Sequence, residues 1–439
     1  MDILFSHATA VLMDRAGTVL NDAYVQVSGK QIVFVGTERP EAFSGREIDG
    51  TGKVLMPGLI NSHTHIPMTL MRGYADGYDL QTWLNDYIFP AEARLDARAV
   101  RAGTALGLAE MIAAGITSFS DMYYFCDEII EETVKAGLCA NISRGITQFS
   151  PEFDPEMQAG CREMRNLVSK WHKYHDGQIL VDVSIHGEYT SYDRVWRYLA
   201  DYAAEHQLGM HVHCSETRSE HEGSLKRNGK TPAQALDQYG VWNTRAQAAH
   251  CVWVEPEDIA LFAQKGVTVV HNPASNLKLG SGIAPVSAFL KAGINVALGT
   301  DGVSSNNNHD LWEEIKLAAL LQKGVCQNAQ AVSPLEALHM ATANGAKAQG
   351  RNSGQIAPGC AADLILVDFT HPNLIPCHDV ISNLVYAARG SNVVVNMAGG
   401  TIIYENGVFH TIDLERIIWE VEHYALQTVF GADGPLKKK

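Results

Sequence analysis

The sequence predicts an α/β fold: a (β/α)8 TIM-like barrel joined to a small β-sandwich formed by the N- and C-terminal segments. From about residue 57 to residue 350, short apolar runs of strand character alternate with stretches of helical periodicity. Eight such runs over about 290 residues make the pattern of a closed parallel barrel with helices outside it. Flanking this region are two β-rich segments, each too short to bury a core alone.

The first fifty-odd residues read as strands at 8–13, 24–27 and 32–35, separated by turns at Asp14-Arg15-Ala16-Gly17, Ser28-Gly29-Lys30 and Gly36-Thr37. The barrel runs begin with Val54-Leu55-Met56, which reads on to Ile60 as one strand. They continue at 116–119, 140–142, 179–185, 209–213, 246–249, 267–270 and 296–298. Residues 97–114, 192–206 and 257–265 carry helical spacing between them. β-rich runs return at 362–368, 393–397 and 401–404, with a turn at Glu405-Asn406-Gly407, and 414–429 reads as a final surface helix. The expected division is therefore 1–56 with 351–412 as a composite sandwich, 57–350 as the barrel, and 413–439 as helix and tail.

The chain has 439 residues, 46% of them hydrophobic, enough for a large core and two or three domains. Its net charge of −15 repels polymeric nucleic acid and anionic membrane surfaces, so neither is an expected partner. The one basic run, Lys437-Lys438-Lys439, reads as a solvated tail. The N-terminus lacks the basic start and apolar core of a signal peptide, and no apolar stretch reaches the ~18–20 residues of a membrane helix. The eight cysteines form no C-x-x-C pair, which reads as reduced thiols in a cytoplasm.

Reactive groups of such barrels sit at the C-terminal ends of strands, and here four runs finish in imidazole or carboxylate. They end in His63-Thr64-His65, His211-Val212-His213, His250 and Gly299-Thr300-Asp301. On a strand, positions i and i+2 share a face, so His63 and His65 can reach one cation. His213 can add a third nitrogen and Asp301 an oxygen, a donor set that suits zinc, with ferrous iron as the alternative. His211 shares the parity of His213 and reads as a hydrogen-bonded core histidine one layer lower. Barrels of this kind that hold two metals use a bridging carboxylated lysine on a middle strand. Residues 179–189 contain no lysine, so one divalent ion is expected. Glu216, three residues past His213, is placed to carry a proton for a cation-activated water, Asp301 to accept the water proton, and His250 to steer the hydroxide.

These motifs resemble the amidohydrolase superfamily, and within it the branch of 5′-methylthioadenosine/S-adenosylhomocysteine deaminases. The matching stretches begin with Pro57-Gly58-Leu59-Ile60-Asn61-Ser62-His63-Thr64-His65 and Met71-Arg72-Gly73-Tyr74-Ala75-Asp76. They continue through Trp83-Leu84, Pro90-Ala91-Glu92 and Ala249-His250-Cys251 to His271-Asn272-Pro273-Ala274-Ser275-Asn276-Leu277-Lys278-Leu279 and Gly299-Thr300-Asp301-Gly302. The resemblance implies a zinc-dependent deaminase of adenine nucleosides that yields the inosine analogue and ammonia. It implies His63, His65, His213 and Asp301 as metal ligands, Glu216 as the residue protonating the purine, and His250 beside the hydroxide. It also implies Glu92 on the ribose hydroxyls, Arg144 and His186 as substrate contacts, and Arg162 on an amino-acid carboxylate. Relatives of this kind are commonly homodimers or larger, so a homo-oligomer is a possible state of the chain. Ring hydrolases acting on guanine, cytosine or chlorotriazines share barrel and ligands and form the alternative, and some superfamily members have lost their ligands and act as scaffolds. One departure from the branch is Ala75-Asp76-Gly77 in place of its usual Ala-Asp-Asp. Another is His186-Gly187-Glu188-Tyr189-Thr190, where a proline is common at position 188. Glu188 is expected to add flexibility and a negative charge near the ribose end of the pocket.

Overall fold

A computed structural model describes residues 2–41 and 43–431; the lysine run at the C-terminus lies outside the described residues. Eight parallel strands form one sheet in chain order: Leu59–Thr64, Ile116–Tyr123, Cys139–Ile146, Ile179–Gly187, Met210–Cys214, Ala246–His250, Thr268–His271 and Asn295–Leu298. Helices cover the outer face and side chains fill the interior, so both faces of each strand are buried. That is why the strands read as continuous apolar runs rather than alternating ones. The sheet is brought round on itself where the last strand ends. The Asp301 N–H donates to the His63 carbonyl at 2.9 Å and the Thr300 N–H to Asn61 Oδ1 at 2.9 Å. Closure thus happens at the level of the candidate ligands.

The terminal segments build a second sheet of nine strands. Its junction is Leu364–Asp368 running antiparallel to Lys53–Pro57, which in turn lies beside Ile3–Val11. One hydrogen-bonded path links the two arms, and its inner face closes over Phe5, Val25, Val27, Leu55, Leu366 and Met397.

The expectation of a single strand through residues 54–60 is corrected at Gly58. Lys53–Pro57 belongs to the terminal sheet and Leu59–Thr64 to the barrel. The Gly58 N–H donates to the Asp363 carbonyl and the Leu59 N–H to that of Gly115, so the chain changes sheets between them. A Cβ at residue 58 would lie 2.2 Å from Thr117 Cγ2, a contact only glycine avoids.

The last helix runs through Leu414–Glu420, Val421–Ala425 and Leu426–Phe430. It buries Val421, Ala425 and Val429, and an Arg98–Glu420 ion pair at 2.9 Å ties it to the helix Ala97–Ala113. Among the described residues no helix is long and apolar enough to cross a membrane.

Candidate active site

Each candidate imidazole ligand is held by a hydrogen bond on the ring nitrogen facing away from the centre. His65 donates from Nδ1 to the Met122 carbonyl at 2.6 Å, and His213 from Nδ1 to the His186 carbonyl at 2.5 Å. His63 Nδ1 is hydrogen-bonded to His211 Nε2 at 2.8 Å, the layer below, as parity suggested. These bonds leave the Nε2 atoms to face one another, the arrangement in which outer partners orient metal-binding imidazoles. His65 Nε2 lies 3.1 Å from His213 Nε2, and Asp301 Oδ1 lies 3.3 Å and 3.1 Å from the Nε2 atoms of His63 and His65. Donor atoms of His63, His213, His250 and Asp301 all lie within 4.8 Å of one another. Burial pushes His63 down to about 4 and His213 well below its ordinary value, which favours their neutral forms, whereas at His65 burial is outweighed by the Asp301 carboxylate, which raises it to about 9.

This donor set fits a cation. His63 Nε2 is fully buried and has no hydrogen-bond partner, and a buried nitrogen left so is costly unless a ligand takes its lone pair. His250 stands apart from the other imidazoles in one respect. Its Nδ1 donates to Asn276 Oδ1 at 2.9 Å, and its Nε2 points toward Glu216 Oε2 at 3.9 Å.

Strand ends carry unusual backbone geometry here. Ser215, His250, Cys251 and Asp301 adopt left-handed φ values of 52°, 72°, 48° and 60°, uncommon for residues with a Cβ. They re-aim the chain just where it leaves the barrel, and such strain collects at functional sites. The turn at Ser215 is locked by Glu220, whose carboxylate accepts the N–H groups of Ser215 at 2.9 Å and Glu216 at 2.7 Å. Ser281 Oγ donates to Glu216 Oε1 at 3.2 Å. Burial raises the Glu216 carboxyl above its ordinary value. Asp301 Oδ2, the oxygen turned from the imidazoles, accepts from Ser275 Oγ at 2.6 Å and Ser305 Oγ at 3.0 Å. Asp121 Oδ1 takes the Thr64 hydroxyl and the Ile66 N–H, bracketing His65. Sequence reasoning missed these supporting residues. The one available signal was position, since Ser275 and Asn276 fall inside a motif and Glu220 follows Glu216 by one helical turn.

A cavity opens onto this cluster, with His65, His213, Glu216, His250 and Asp301 at one end and Glu92, His186 and aromatic side chains elsewhere. Burial pushes Glu92 up to about 7 and His186 down to about 3. Arg144 lines an adjoining cavity rather than this one, and the two share Phe89, Glu92 and Tyr124. Arg162 lines neither; its Nη1 donates to the carbonyls of Glu156 and Met157 at 2.9 Å and 2.7 Å.

The expectation for Glu188 is corrected. It is 2% exposed but turned out of the cavity by the short turn Glu188–Thr190, with its carboxylate held by Arg227 and by Asn228 Nδ2 at 2.7 Å. Its charge is paired, and Tyr189 faces the cavity instead.

Barrel, strand-end imidazoles and carboxylate together define a metal-dependent hydrolase. Residues 54–403 match the pattern of the amidohydrolase family, and the chain belongs to it. It is 40% identical to the 5-methylthioadenosine/S-adenosylhomocysteine deaminase of Thermoanaerobacter pseudethanolicus, over 97% of this chain and 99% of that one. It is 41% identical to the 5′-deoxyadenosine deaminase of Methanothermobacter thermautotrophicus, over 95% and 96%. Among solved structures, an adenosine deaminase from Xanthomonas campestris with bound zinc superposes with a TM-score of 0.92 at 32% identity, covering 97% of this chain and 98% of that one.

Proposed function

We propose that the chain is a hydrolytic deaminase of adenine nucleosides, acting on 5′-methylthioadenosine, S-adenosylhomocysteine, adenosine or 5′-deoxyadenosine. The observation that carries this reading is a buried carboxyl, Glu216, sharing one end of a cavity with His250 and Asp301 while a second carboxyl, Glu92, lines it elsewhere. The names of the relatives support the same substrate class. His63, His65, His213 and Asp301 would hold one divalent ion, zinc in the first instance and ferrous iron as the alternative. A cation held there makes hydroxide available at neutral pH by acidifying a water from a pKa of 15.7 toward ~7.

Asp301 would accept a proton from the attacking water, and His250 would orient that water's oxygen toward C6 of the purine. Glu216, kept protonated to higher pH by burial, donates to N1, which makes C6 electrophilic. The C6–oxygen bond forms, the C6–nitrogen bond breaks, ammonia leaves with the proton returned from Asp301, and the C6 hydroxyl proton passes to Glu216, which leaves the 6-oxo purine and restores the acid. Glu92 receives the ribose hydroxyls, and His186 packs beside the nucleoside. A cytoplasmic setting fits the eight cysteines, all of them free thiols. The barrel also resembles an atrazine chlorohydrolase from Arthrobacter aurescens complexed with zinc, with a TM-score of 0.90 at 26% identity over 95% of this chain and 99% of that one, so the test spans both chemistries. Purified metal-loaded protein is assayed on adenosine, 5′-methylthioadenosine, guanine, cytosine and a chlorotriazine. Loss of adenine absorbance with ammonia release supports the reading, and turnover of a bare ring alone overturns it.

A further inference from the structure

We infer that Glu163 sets the charge preference of the subsite that takes the 5′ substituent. By pairing with Arg144 it turns that subsite toward neutral or cationic groups and away from carboxylates. The inference rests on the nucleoside reading above. With the purine at Glu216 and the ribose at Glu92, whatever the 5′ carbon carries passes Glu92 into the adjoining cavity, which shares Phe89, Glu92 and Tyr124 with the first.

Arg144 is the sole arginine or lysine that lines this second cavity among the described residues, and the resemblance gives it a substrate contact. Its charge is already matched. Arg144 Nε donates to Glu163 Oε2 at 2.6 Å, the guanidinium lies 4.6 Å over the Tyr124 ring, and Nη1 donates to the Gly145 carbonyl. Glu163 is itself held in place, because its Oε1 accepts the Cys126 N–H at 3.3 Å where the helix Cys126–Ala136 begins. Both side chains are largely withdrawn from water, 16% and 31% exposed, so solvent screens the pair only in part.

The rest of the wall has the same sign. Glu128 lines the cavity too, and its nearest cation is Arg101 Nη2 at 3.7 Å. Among the described residues, Glu92, Glu128 and Glu163 line this cavity beside Arg144, its one lining guanidinium. A ligand carboxylate seeking Arg144 would meet the Glu163 carboxylate already bonded to it, and juxtaposed like charges are a strong means of rejecting a ligand. Arg162, the other cation expected to read a carboxylate, does not line the cavity, and its Nη1 is bonded to the carbonyls of Glu156 and Met157. Arg144 keeps unbonded N–H groups for a neutral acceptor, and Phe89, Tyr124 and Phe149 offer apolar surface to a thioether.

The test compares three adenosyl thioethers of different charge: 5′-methylthioadenosine (neutral), S-adenosylhomocysteine (zwitterionic) and 5′-(3-aminopropylthio)-5′-deoxyadenosine (cationic). Values of kcat/KM are measured at low salt for the wild-type protein and for Glu163→Gln. The wild type is expected to use the neutral and cationic compounds about tenfold better than S-adenosylhomocysteine. Glu163→Gln keeps an acceptor for Arg144 but removes the charge, and is expected to raise the ratio of S-adenosylhomocysteine to 5′-methylthioadenosine at least about fivefold. The wild-type ranking needs no variant to fold. A wild type that prefers S-adenosylhomocysteine, or a ratio that stays within about twofold in Glu163→Gln, overturns the inference alone. Failure to deaminate any of the three overturns the inference, and failure on adenosine and 5′-deoxyadenosine as well overturns the nucleoside reading.

Discussion

Glu220 touches neither the candidate ligands nor the cavity, yet the geometry makes catalysis depend on it. Its carboxylate accepts two buried N–H groups, those of Ser215 and Glu216, across a turn whose Ser215 has φ of 52°. Glu220→Ala leaves both donors without acceptors. Each buried donor left unmade costs about 1–3 kcal/mol, so the present turn would be destabilised by about 2–6 kcal/mol. The loop escapes that cost by moving, and the carboxyl of Glu216 moves with it. At the lower bound, about 2 kcal/mol of lost positioning is a fall of about 30-fold in kcat, since each 1.36 kcal/mol is tenfold. Glu220→Gln retains one acceptor oxygen and should fall between Ala and wild type. The assay is steady-state deamination across pH with metal content and thermal midpoint measured in parallel. A positioning role shifts the Glu216 limb of the pH profile and lowers kcat more than it raises KM, with the metal retained. If Glu220→Ala keeps kcat within about threefold and its pH profile unmoved, the proposed coupling between Glu220 and Glu216 is wrong.

Glu216→Gln should lower kcat by at least about 100-fold, the lower end for a proton carrier, while metal analysis by plasma emission stays at the wild-type value; unaltered turnover removes Glu216 from the chemistry. Chelation should abolish activity and lower the thermal midpoint, with both restored by zinc, because an ion held only by the folded chain stabilises it by about 4 kcal/mol at a thousand times its Kd. Glu314 supplies a pH test away from the ligands. Burial pushes its carboxyl from 4.5 up to about 8, so the folded protein holds a proton that the unfolded chain releases. Its contribution to stability is therefore greatest below pH 4.5 and is lost as pH rises through 8. Glu314→Gln should gain in thermal midpoint relative to wild type between pH 5 and pH 8, and a difference that stays flat would refute the assignment.

Most of the barrel was legible because parallel strands buried on both faces must be apolar throughout, and interruptions by His or Asp at their ends then stand out. The break at Gly58 was not, for the same reason. Residues 53–57 and 59–64 are buried in two different sheets, and burial in either demands the same side chains. Glu188 shows the limit of reading charge without direction. Its place in the chain is correct for the pocket, but its partners Arg227 and Asn228 lie about 40 residues away, and only the fold reveals that they claim it. The surroundings of Arg162 were equally illegible, since its acceptors are backbone carbonyls, which no side-chain pattern advertises. Glu220, Ser275 and Asp121 escaped notice because they act on backbone N–H groups or on other side chains, leaving no motif of their own.

The account stands on His63, His65, His213 and Asp301 closing around one cation. The most direct measurement is the metal content of purified wild type, His213→Ala and Asp301→Asn, taken beside their deaminase activity. One equivalent of divalent metal per wild-type chain, with metal and activity falling together in both variants, is the expected result. A metal-free wild type that still deaminates adenosine analogues, or variants that lose metal and keep their activity, would contradict it.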